Sequence, residues 1–250
     1  METVERFSNR VKNYVKYRPG YPPEVVGLFK TELGLREDSV IADIGCGTGI
    51  LTRLLLENGN RVFGVEPNAA MRAAAGQYLA RFEGLTPVDG TAENTTLADA
   101  SVDLVTAAQA FHWFDPAKTK SEFRRILKPG GRVALVWNER QLDTTPFLRE
   151  YEAFLLRFGN DYEAVRHDRL DDGAIADFLG IGFQKAVFKY TQDFDFDGLK
   201  GRMLSASYMP SEANPVYETM IGELQTLFAK RAENGRIKVF YDTNVYWSKI

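Results

Sequence analysis

Residues 40–49 read VIADIGCGTG and begin with a short apolar run that is typical of a buried strand. The run breaks into Gly45, Gly47 and Gly49, and leucines at helical spacing follow over residues 50–58. Glycines let the backbone turn sharply and let a ligand lie against it without a Cβ clash. The first N–H groups of the following helix have no partner within that helix. The stretch therefore predicts a strand, a ligand-binding loop and a helix in succession.

An acidic residue stands at the end of the next predicted strand. Glu66 follows strand 61–65 and lies 21 residues after Gly45, a place where a carboxylate accepts hydrogen bonds from both ribose hydroxyls of a nucleotide. The dinucleotide fingerprint has its third glycine at the sixth position of the loop, and this chain has Ile50 there. The loop and the acid together predict a ligand that contains a nucleoside, and Ile50 argues against a nicotinamide dinucleotide.

Short β-branched runs alternate with helical stretches up to about residue 137, which predicts a doubly wound, largely parallel α/β sheet. The predicted strands are 40–44, 61–65, a weaker one ending at Val88, 102–106 and 132–137, and the helices between them follow Gly49, Asn68 and Asp115. Lys128-Pro129-Gly130-Gly131 is predicted to close the last of these helices. Beyond residue 140 we expect helices near 145–158, 174–180 and 214–232, the last starting at Pro215, and strands at 183–191 and 236–247. An antiparallel pair at the end differs from the plain dinucleotide-binding topology.

The composition describes an ordinary globular protein and excludes several classes. Hydrophobic residues make up 44% and charged residues 26% of 250 residues, a typical balance. The formal net charge of −3 argues against a general nucleic-acid or anionic-membrane binder. One Cys and two His argue against a metal site. With no signal-like or membrane-spanning stretch in the sequence, we expect a cytoplasmic protein.

Several motifs together resemble class I S-adenosylmethionine-dependent methyltransferases. They are the glycine loop, Glu66-Pro67, Gly90-Thr91-Ala92-Glu93 and Leu127-Lys128-Pro129-Gly130-Gly131. The runs Arg18-Pro19-Gly20-Tyr21-Pro22 and Ala110-Phe111-His112-Trp113-Phe114 resemble the small-molecule branch of methyltransferase type 11, which includes trans-aconitate methyltransferases. The resemblance implies a Rossmann-like seven-stranded sheet of order 3-2-1-4-5-7-6, with strand 7 antiparallel and a helical lid.

The resemblance also implies a domain organisation. Residues 1–250 form a single methyltransferase domain, in which 38–138 are the cofactor-binding core. Residues 1–35 form N-terminal lid helices, the first with an apolar face that includes Tyr14. Residues 139–250 supply the substrate-pocket helices and the last two strands.

S-adenosylmethionine is the cofactor that the resemblance implies. Gly45, Gly47 and Gly49 would line its methionine and ribose parts, Glu66 would hold the ribose diol, and Arg18 would pair with its carboxylate. Asn68 and Met71 would flank the adenine. The full set of implied cofactor-binding residues is Arg18, Asp43, Gly45, Cys46, Gly47, Gly49, Glu66, Pro67, Met71, Thr91, Ala92, Glu93 and Gln109.

The sequence gives fewer indications of which residues contact the methyl acceptor. His112 is a candidate catalytic residue and equally a candidate packing residue. Tyr14, Trp113, Arg140 and Tyr208 are candidate substrate contacts. The resemblance to trans-aconitate methyltransferases favours a carboxylate acceptor, which needs no general base, and Arg140, His112 or Arg202 would then steer the anion.

Three alternatives from other classes remain open at this point. They are a nicotinamide-dependent oxidoreductase, a methyltransferase-like protein that binds the cofactor without catalysis, and a nucleic-acid methyltransferase. The third is disfavoured by the acidic net charge. We expect a small-molecule acceptor as partner, neither nucleic acid nor membrane, and a monomer or homodimer.

Overall fold

The computed structural model describes residues 17–160, residue 162 and residues 172–250. The predicted first helix, and Tyr14 with it, lies outside the described residues. Seven strands form one sheet in the order β3-β2-β1-β4-β5-β7-β6. The strands are β1 (Val40–Ile44), β2 (Arg61–Val65), β3 (Leu85–Val88), β4 (Val102–Ala108), β5 (Leu127–Arg140), β6 (Gln184–Phe194) and β7 (Ile237–Ser248). The predicted strand order is confirmed.

Helices flank the sheet on both sides. They are α1 (Glu24–Glu32), α2 (Ile50–Glu57), α3 (Ala69–Tyr78), α4 (Pro116–Ile126), α5 (Pro146–Phe158), α6 (Asp172–Leu179), α7 (Phe196–Leu204) and α8 (Tyr217–Arg231). Local sequence explains where several of them begin. The Asn68 side chain accepts hydrogen bonds from the first free N–H groups of α3, and Asp115 does the same for α4, which has Pro116 in its first turn.

The first five strands run parallel and place the ends of β1 and β4 side by side. Asp43 is paired in register with Gly64 of β2 and Thr106 of β4. β7 runs antiparallel to both β5 and β6, which confirms the predicted antiparallel seventh strand. The loops that follow β1, β2 and β4 therefore meet at one edge of the sheet, the edge at which ligands bind in such folds.

The turn that was expected to close α4 is the first correction. α4 ends at Ile126, and residues 127–131 already belong to β5. Val102 pairs with Leu127, but Leu104 pairs with Arg132, so the extra residues form a bulge next to β4. A bulge accommodates residues that a regular ladder cannot pair. Residues 128–131 were predicted to be a turn because the sequence alone does not show this pairing with β4.

The C-terminal part contains two further corrections. α8 begins at Tyr217, two residues after Pro215, because the Asn214 side chain accepts from the Val216 N–H and forms a separate turn first. α7 was not predicted at all. Its first turn is capped by Asp195, whose carboxylate accepts from the Gly198 N–H at 2.8 Å; its two glycines conceal the helical pattern.

Buried side chains pack on both faces of the sheet and beneath the C-terminal helices. Val25 and Phe29 of α1 are fully buried with Ile41 and Leu55, so α1 belongs to the core of one face. A separate cluster joins α5, α7 and α8 to β7. Among the described helices, none is long and apolar enough to cross a membrane.

Candidate cofactor pocket and acceptor side

The glycine loop adopts a backbone that other residues rarely accept. Gly45, Gly47 and Gly49 have φ values of +64°, +56° and +86°. A Cβ on Gly45 would lie 2.7 Å from the Cβ of Ala110, and one on Gly49 would lie 2.5 Å from Leu79 Cδ1. At Gly47 nothing lies within 4 Å of that position. The first and third glycines thus permit close packing, and Gly47 leaves the space beside the loop open.

Glu66 is anchored by backbone N–H groups on both of its carboxylate oxygens. Gly47 N–H donates to Oε2 and Asn68 N–H donates to Oε1, each at 2.9 Å. The residue is 8% exposed, and burial raises the pKa of its carboxyl, against the opposing effect of the bonds from Asn68 and Gly47. Each oxygen keeps a second lone pair for a hydroxyl donor, as a ribose diol requires.

Asp43 fastens the end of β1 to its neighbours. Its carboxylate accepts from Thr52 Oγ1 at 2.6 Å and from Thr106 Oγ1 at 2.9 Å. Burial raises the pKa of Asp43 to about 6, and the two hydroxyl bonds only partly oppose that shift. A carboxylate that is held by neutral donors keeps α2 and β4 in place behind the glycine loop.

Gln109 has a strained backbone and an unused acceptor. Its φ is +53°, a conformation that non-glycine residues rarely adopt outside functional or turn positions. Its Nε2 donates to the carbonyl of Asn138 at 3.0 Å, and this fixes the amide orientation because a carbonyl only accepts. Its Oε1 is then buried with no hydrogen-bond partner among the described residues. Such an atom suits an N–H donor from a ligand.

These side chains surround a cavity of about 290 Å³. Most of the residues implied for the cofactor line it. They are Asp43, Gly45, Cys46, Gly47, Glu66, Pro67, Met71, Thr91, Ala92, Glu93 and Gln109, together with Asn68 and Trp113.

Two implied residues do not line this cavity. Arg18 donates from Nη2 to the Ser205 carbonyl at 3.2 Å, so its guanidinium lies beside the residue that follows α7. Gly49 packs against the Leu79 side chain instead. Glu93 lines the cavity, but its Oε1 also accepts from the Asp115 N–H at 2.9 Å, which ties it to the start of α4.

Sequence reasoning missed several wall residues. Tyr21, Ile50, Leu51, Ala108, Ala110 and Phe114 also line the cavity. Ala110 and Phe114 belong to the aromatic run, and Tyr21 to the Arg-Pro-Gly-Tyr-Pro run, that carried the resemblance. Their membership of those runs was the available signal, but neither run shows which of its side chains face inward.

The aromatic run places His112 against two indole rings. Its ring centroid lies 4.4 Å from that of Trp113 and 5.2 Å from that of Trp137. Trp113 is 42% exposed and lines the cavity, whereas His112 is not among the lining residues. His112 thus packs against Trp113 of the cavity wall, and its role in catalysis stays a prediction.

Arg140 and Tyr208 lie together elsewhere. They line a separate small cavity of about 10 Å³ with Tyr151, Arg202 and Tyr241. Arg140 forms a buried salt bridge with Glu152. The structure therefore assembles two of the predicted acceptor contacts, but not on the wall of the larger cavity.

Comparisons with known proteins agree with this fold. Residues 42–135 match the family described as "Methyltransferase domain". An uncharacterized methyltransferase of Mycobacterium tuberculosis is 40% identical over 164 residues, which cover 64% of this chain and 61% of that relative. An uncharacterized methyltransferase-like protein of Schizosaccharomyces pombe is 28% identical over 98% of this chain and 96% of its own length.

A solved structure, described as a putative type II methyltransferase from Anaeromyxobacter dehalogenans, superposes with a TM-score of 0.67 at 22% identity. It covers 93% of this chain and 98% of its own. Residues 42–135 of this chain are thus similar to the methyltransferase family, and the predicted resemblance to class I S-adenosylmethionine-dependent methyltransferases is confirmed. The mycobacterial match spans about three fifths of that relative's length.

Proposed function

We propose that this protein transfers a methyl group from S-adenosylmethionine to a small-molecule acceptor. The observation that carries the proposal is the Glu66 carboxylate at the cavity, bound from behind by two backbone N–H groups. A ligand with two neighbouring hydroxyls complements the remaining lone pairs. The unused Oε1 of Gln109 complements an ammonium group, such as that of a methionine moiety.

The residues present fit this cofactor along its length. Glu66 would hold the ribose, Met71 and Ala92 would contact the adenine, and Gly47 and Gln109 would border the methionine part. S-adenosylmethionine supplies a methyl group on a positively charged sulfur, which makes the sulfur a good leaving group. The protein orients the acceptor in line with that methyl group and excludes water from the cavity.

For the acceptor we propose a carboxylate-bearing small molecule. A carboxylate is already ionised at neutral pH, so its attack requires no general base, and His112 then shapes the pocket rather than moving a proton. An His112→Ala variant with unchanged turnover would support that role. A large loss of turnover with a changed pH profile would make His112 the base for a protonated acceptor.

The expected domain organisation remains part of this proposal. Residues 38–138 would bind the cofactor and residues 139–250 would shape the acceptor pocket. Residues 1–35 were expected to cover that pocket, but α1 packs into the core of the sheet, so the cover would come from the residues before α1. In the described part of residues 1–35, Tyr21 lines the larger cavity. We expect a monomer or homodimer that works in the cytoplasm, and light scattering after size-exclusion chromatography tests the oligomeric state.

The first experiment is calorimetric titration with S-adenosylmethionine, S-adenosylhomocysteine and NAD. We expect micromolar binding of the first two and at least about a hundredfold weaker binding to Glu66→Ala, because two hydrogen bonds to a charged group contribute about 3 kcal/mol. Glu57→Ala, which removes an exposed carboxylate paired with Arg53, is the matched control. Binding of NAD alone, or of none of the three ligands, would contradict the proposal.

Turnover separates an enzyme from a cofactor-binding protein. We expect S-adenosylhomocysteine to accumulate when S-adenosylmethionine is incubated with a panel of small carboxylic acids. Tight cofactor binding with no turnover across carboxylates, amines, thiols and phenols would favour the non-catalytic alternative.

A further inference from the structure

A cluster of charged and phenolic side chains lies beyond the carboxyl end of β5. Arg140 comes from the end of β5, Arg202 from α7, Tyr241 from β7, and Tyr151 and Glu152 from α5. Four separate elements thus bring two guanidinium groups to the walls of one small cavity. Like charges repel in a medium of low dielectric constant, so this arrangement requires compensation.

Arg140 is fully compensated. It forms a salt bridge with Glu152, donates to the Tyr162 hydroxyl at 3.0 Å and lies over the Tyr151 ring at 5.3 Å. This pair joins β5 to α5 and is a structural feature of the fold.

Arg202 has a neutral hydrogen-bond partner in place of a carboxylate. Its Nε donates to the Tyr241 hydroxyl at 3.2 Å, and no carboxylate of the described residues lies within ion-pair distance of it. Glu152 is the one carboxylate in the cluster, and it is already paired. Burial raises the pKa of the Tyr151 hydroxyl above its ordinary range, so that phenol is neutral at pH 7. Counted over the described residues, the cluster therefore has a net charge of +1.

The cluster lies next to the proposed cofactor pocket. Arg140 lies two residues beyond Asn138 and so on the same face of β5. The Asn138 carbonyl accepts from Gln109, whose side chain lines the larger cavity. Tyr241 of β7 pairs with Arg140 and accepts from Arg202, so the Arg202 charge lies beside β7, and β5 separates it from Gln109.

We propose that Arg202 binds an oxyanion of the acceptor, a carboxylate or a phosphate group, between Tyr208 and Tyr241. A guanidinium presents parallel N–H donors that match either oxyanion, and the buried net charge favours an anion over a neutral group. The assignment to an acceptor rests on the proposed methyltransferase function. The proposed binding of an oxyanion by Arg202 does not depend on that function.

Tyr208 controls the room for the anion. The cavity of about 10 Å³ holds a single water-sized group, so an oxyanion enters only when a side chain moves. Arg140, Arg202 and Tyr241 lie on regular elements, whereas Tyr208 is partly exposed on the connection between α7 and α8. Its ring, which packs against that of Tyr162 with 4.8 Å between the centroids, would have to move for the anion to enter.

The test measures binding of succinate, inorganic phosphate and the neutral succinamide, with S-adenosylhomocysteine present. We expect succinate or phosphate to bind wild type and to raise its melting temperature, and succinamide to do neither. Arg202→Met should weaken the bound anion at least about tenfold and leave S-adenosylhomocysteine affinity within about twofold of wild type, because Arg202 lies outside that cavity. Arg157→Met, which removes an exposed arginine paired with Glu223, should change neither.

The remaining outcomes overturn the proposal. Equal binding of succinate and succinamide, no binding of either anion, or anion binding unchanged in Arg202→Met would each do so. If Arg202→Met does not fold, Arg202→Lys keeps the charge without the planar fork. Its anion affinity should then fall while its fold remains, and an unchanged affinity would refute the role of the guanidinium. Failure of S-adenosylhomocysteine binding in wild type would refute the methyltransferase proposal instead.

Discussion

The proposed cofactor side of this sheet, around Asp43 and Glu66, and the proposed acceptor side, around Arg140 and Arg202, bury their charges in different ways. On the cofactor side, Asp43 and Glu66 are each held by neutral donors, hydroxyls for Asp43 and backbone N–H groups for Glu66. On the acceptor side, Arg140 and Glu152 neutralise each other directly. Glu66 keeps lone pairs that a ligand can use, whereas the hydroxyl bonds of Asp43 and the closed ion pair contribute to the fold. In the proposed function, Glu66 serves binding and the Arg140–Glu152 pair serves support, and Arg202 differs from Arg140 because no carboxylate of the described residues pairs with it.

Breaking the acceptor-side ion pair should have the largest effect. Glu152→Gln leaves two arginines in the cluster without a carboxylate, which should lower the free energy of unfolding by about 3–5 kcal/mol. Urea denaturation measures this loss. Glu150→Gln is the matched control on the same helix, because its partners Lys230 and Arg231 are at the surface, and it should change stability little. Similar losses in both variants would contradict the division between the halves.

Removing the Asp43 charge should raise the free energy of unfolding at neutral pH, the opposite of the change expected for Glu152→Gln. Its pKa is raised from 3.8 to about 6 by burial, so between those pH values the folded state holds a proton that the unfolded state has released. The free energy of unfolding therefore falls as pH rises through this window, by about 3 kcal/mol in total. Asp43→Asn should lose this pH slope, which urea denaturation at pH 4.5 and 7 measures.

Asp103→Asn provides the control for that slope. Partial burial raises the Asp103 pKa, but the Lys128 hydrogen bond and other contacts leave it lowered overall. This carboxylate thus stabilises the fold above its unfolded pKa, and the stabilisation is lost as pH falls. Removing the Asp103 carboxylate should make the slope of unfolding free energy against pH more negative, whereas removing the Asp43 carboxylate should make it less negative. An Asp43→Asn profile parallel to that of wild type would show that Asp43 does not carry the buried charge.

Cofactor-side binding should weaken at low pH through Glu66. Its pKa is raised by burial, and a protonated carboxyl has fewer acceptor sites for ribose hydroxyls. Below that pKa, affinity should fall about tenfold for each pH unit. Adenosine is a suitable probe because it lacks the amino-acid groups of the cofactor. Glu66→Gln should bind adenosine weakly and with little pH dependence, and an equal dependence in both proteins would assign the titration to another group.

The smallest expected change in stability tests whether the cofactor side, which includes α3, and the acceptor side, which includes α8, unfold together. Gly76 in α3 and Gly222 in α8 lie within helices, with nothing within 4 Å of an added Cβ. Each change to alanine should raise stability by about 0.4–1 kcal/mol. In a cooperative protein both substitutions shift one common transition. Two transitions, each moved by only one of the variants, would show that the cofactor and acceptor sides are separate folding units.

The cofactor side was predictable because its determinants are local. The glycine loop needs positive φ values within a few residues, and Glu66 follows the adjacent strand, so both leave a spacing that can be recognised. Asn68 and Asp115 capped their helices as expected for the same reason. Residues 127–131 misled the prediction because only the register with β4 turns them into a bulge.

The sequence by itself determined the order of strands and helices in the first half, the position of the ligand loop and the identity of its acidic partner. Only the tertiary structure decided that Arg18 lies beside Ser205, that Gln109 has a buried acceptor atom with no partner among the described residues, and that Arg202 and Arg140 line one small cavity. These contacts join residues far apart in the chain. Their geometry depends on how β7 inserts between β5 and β6 and how α5 and α7 pack beside it, and no local spacing records that packing.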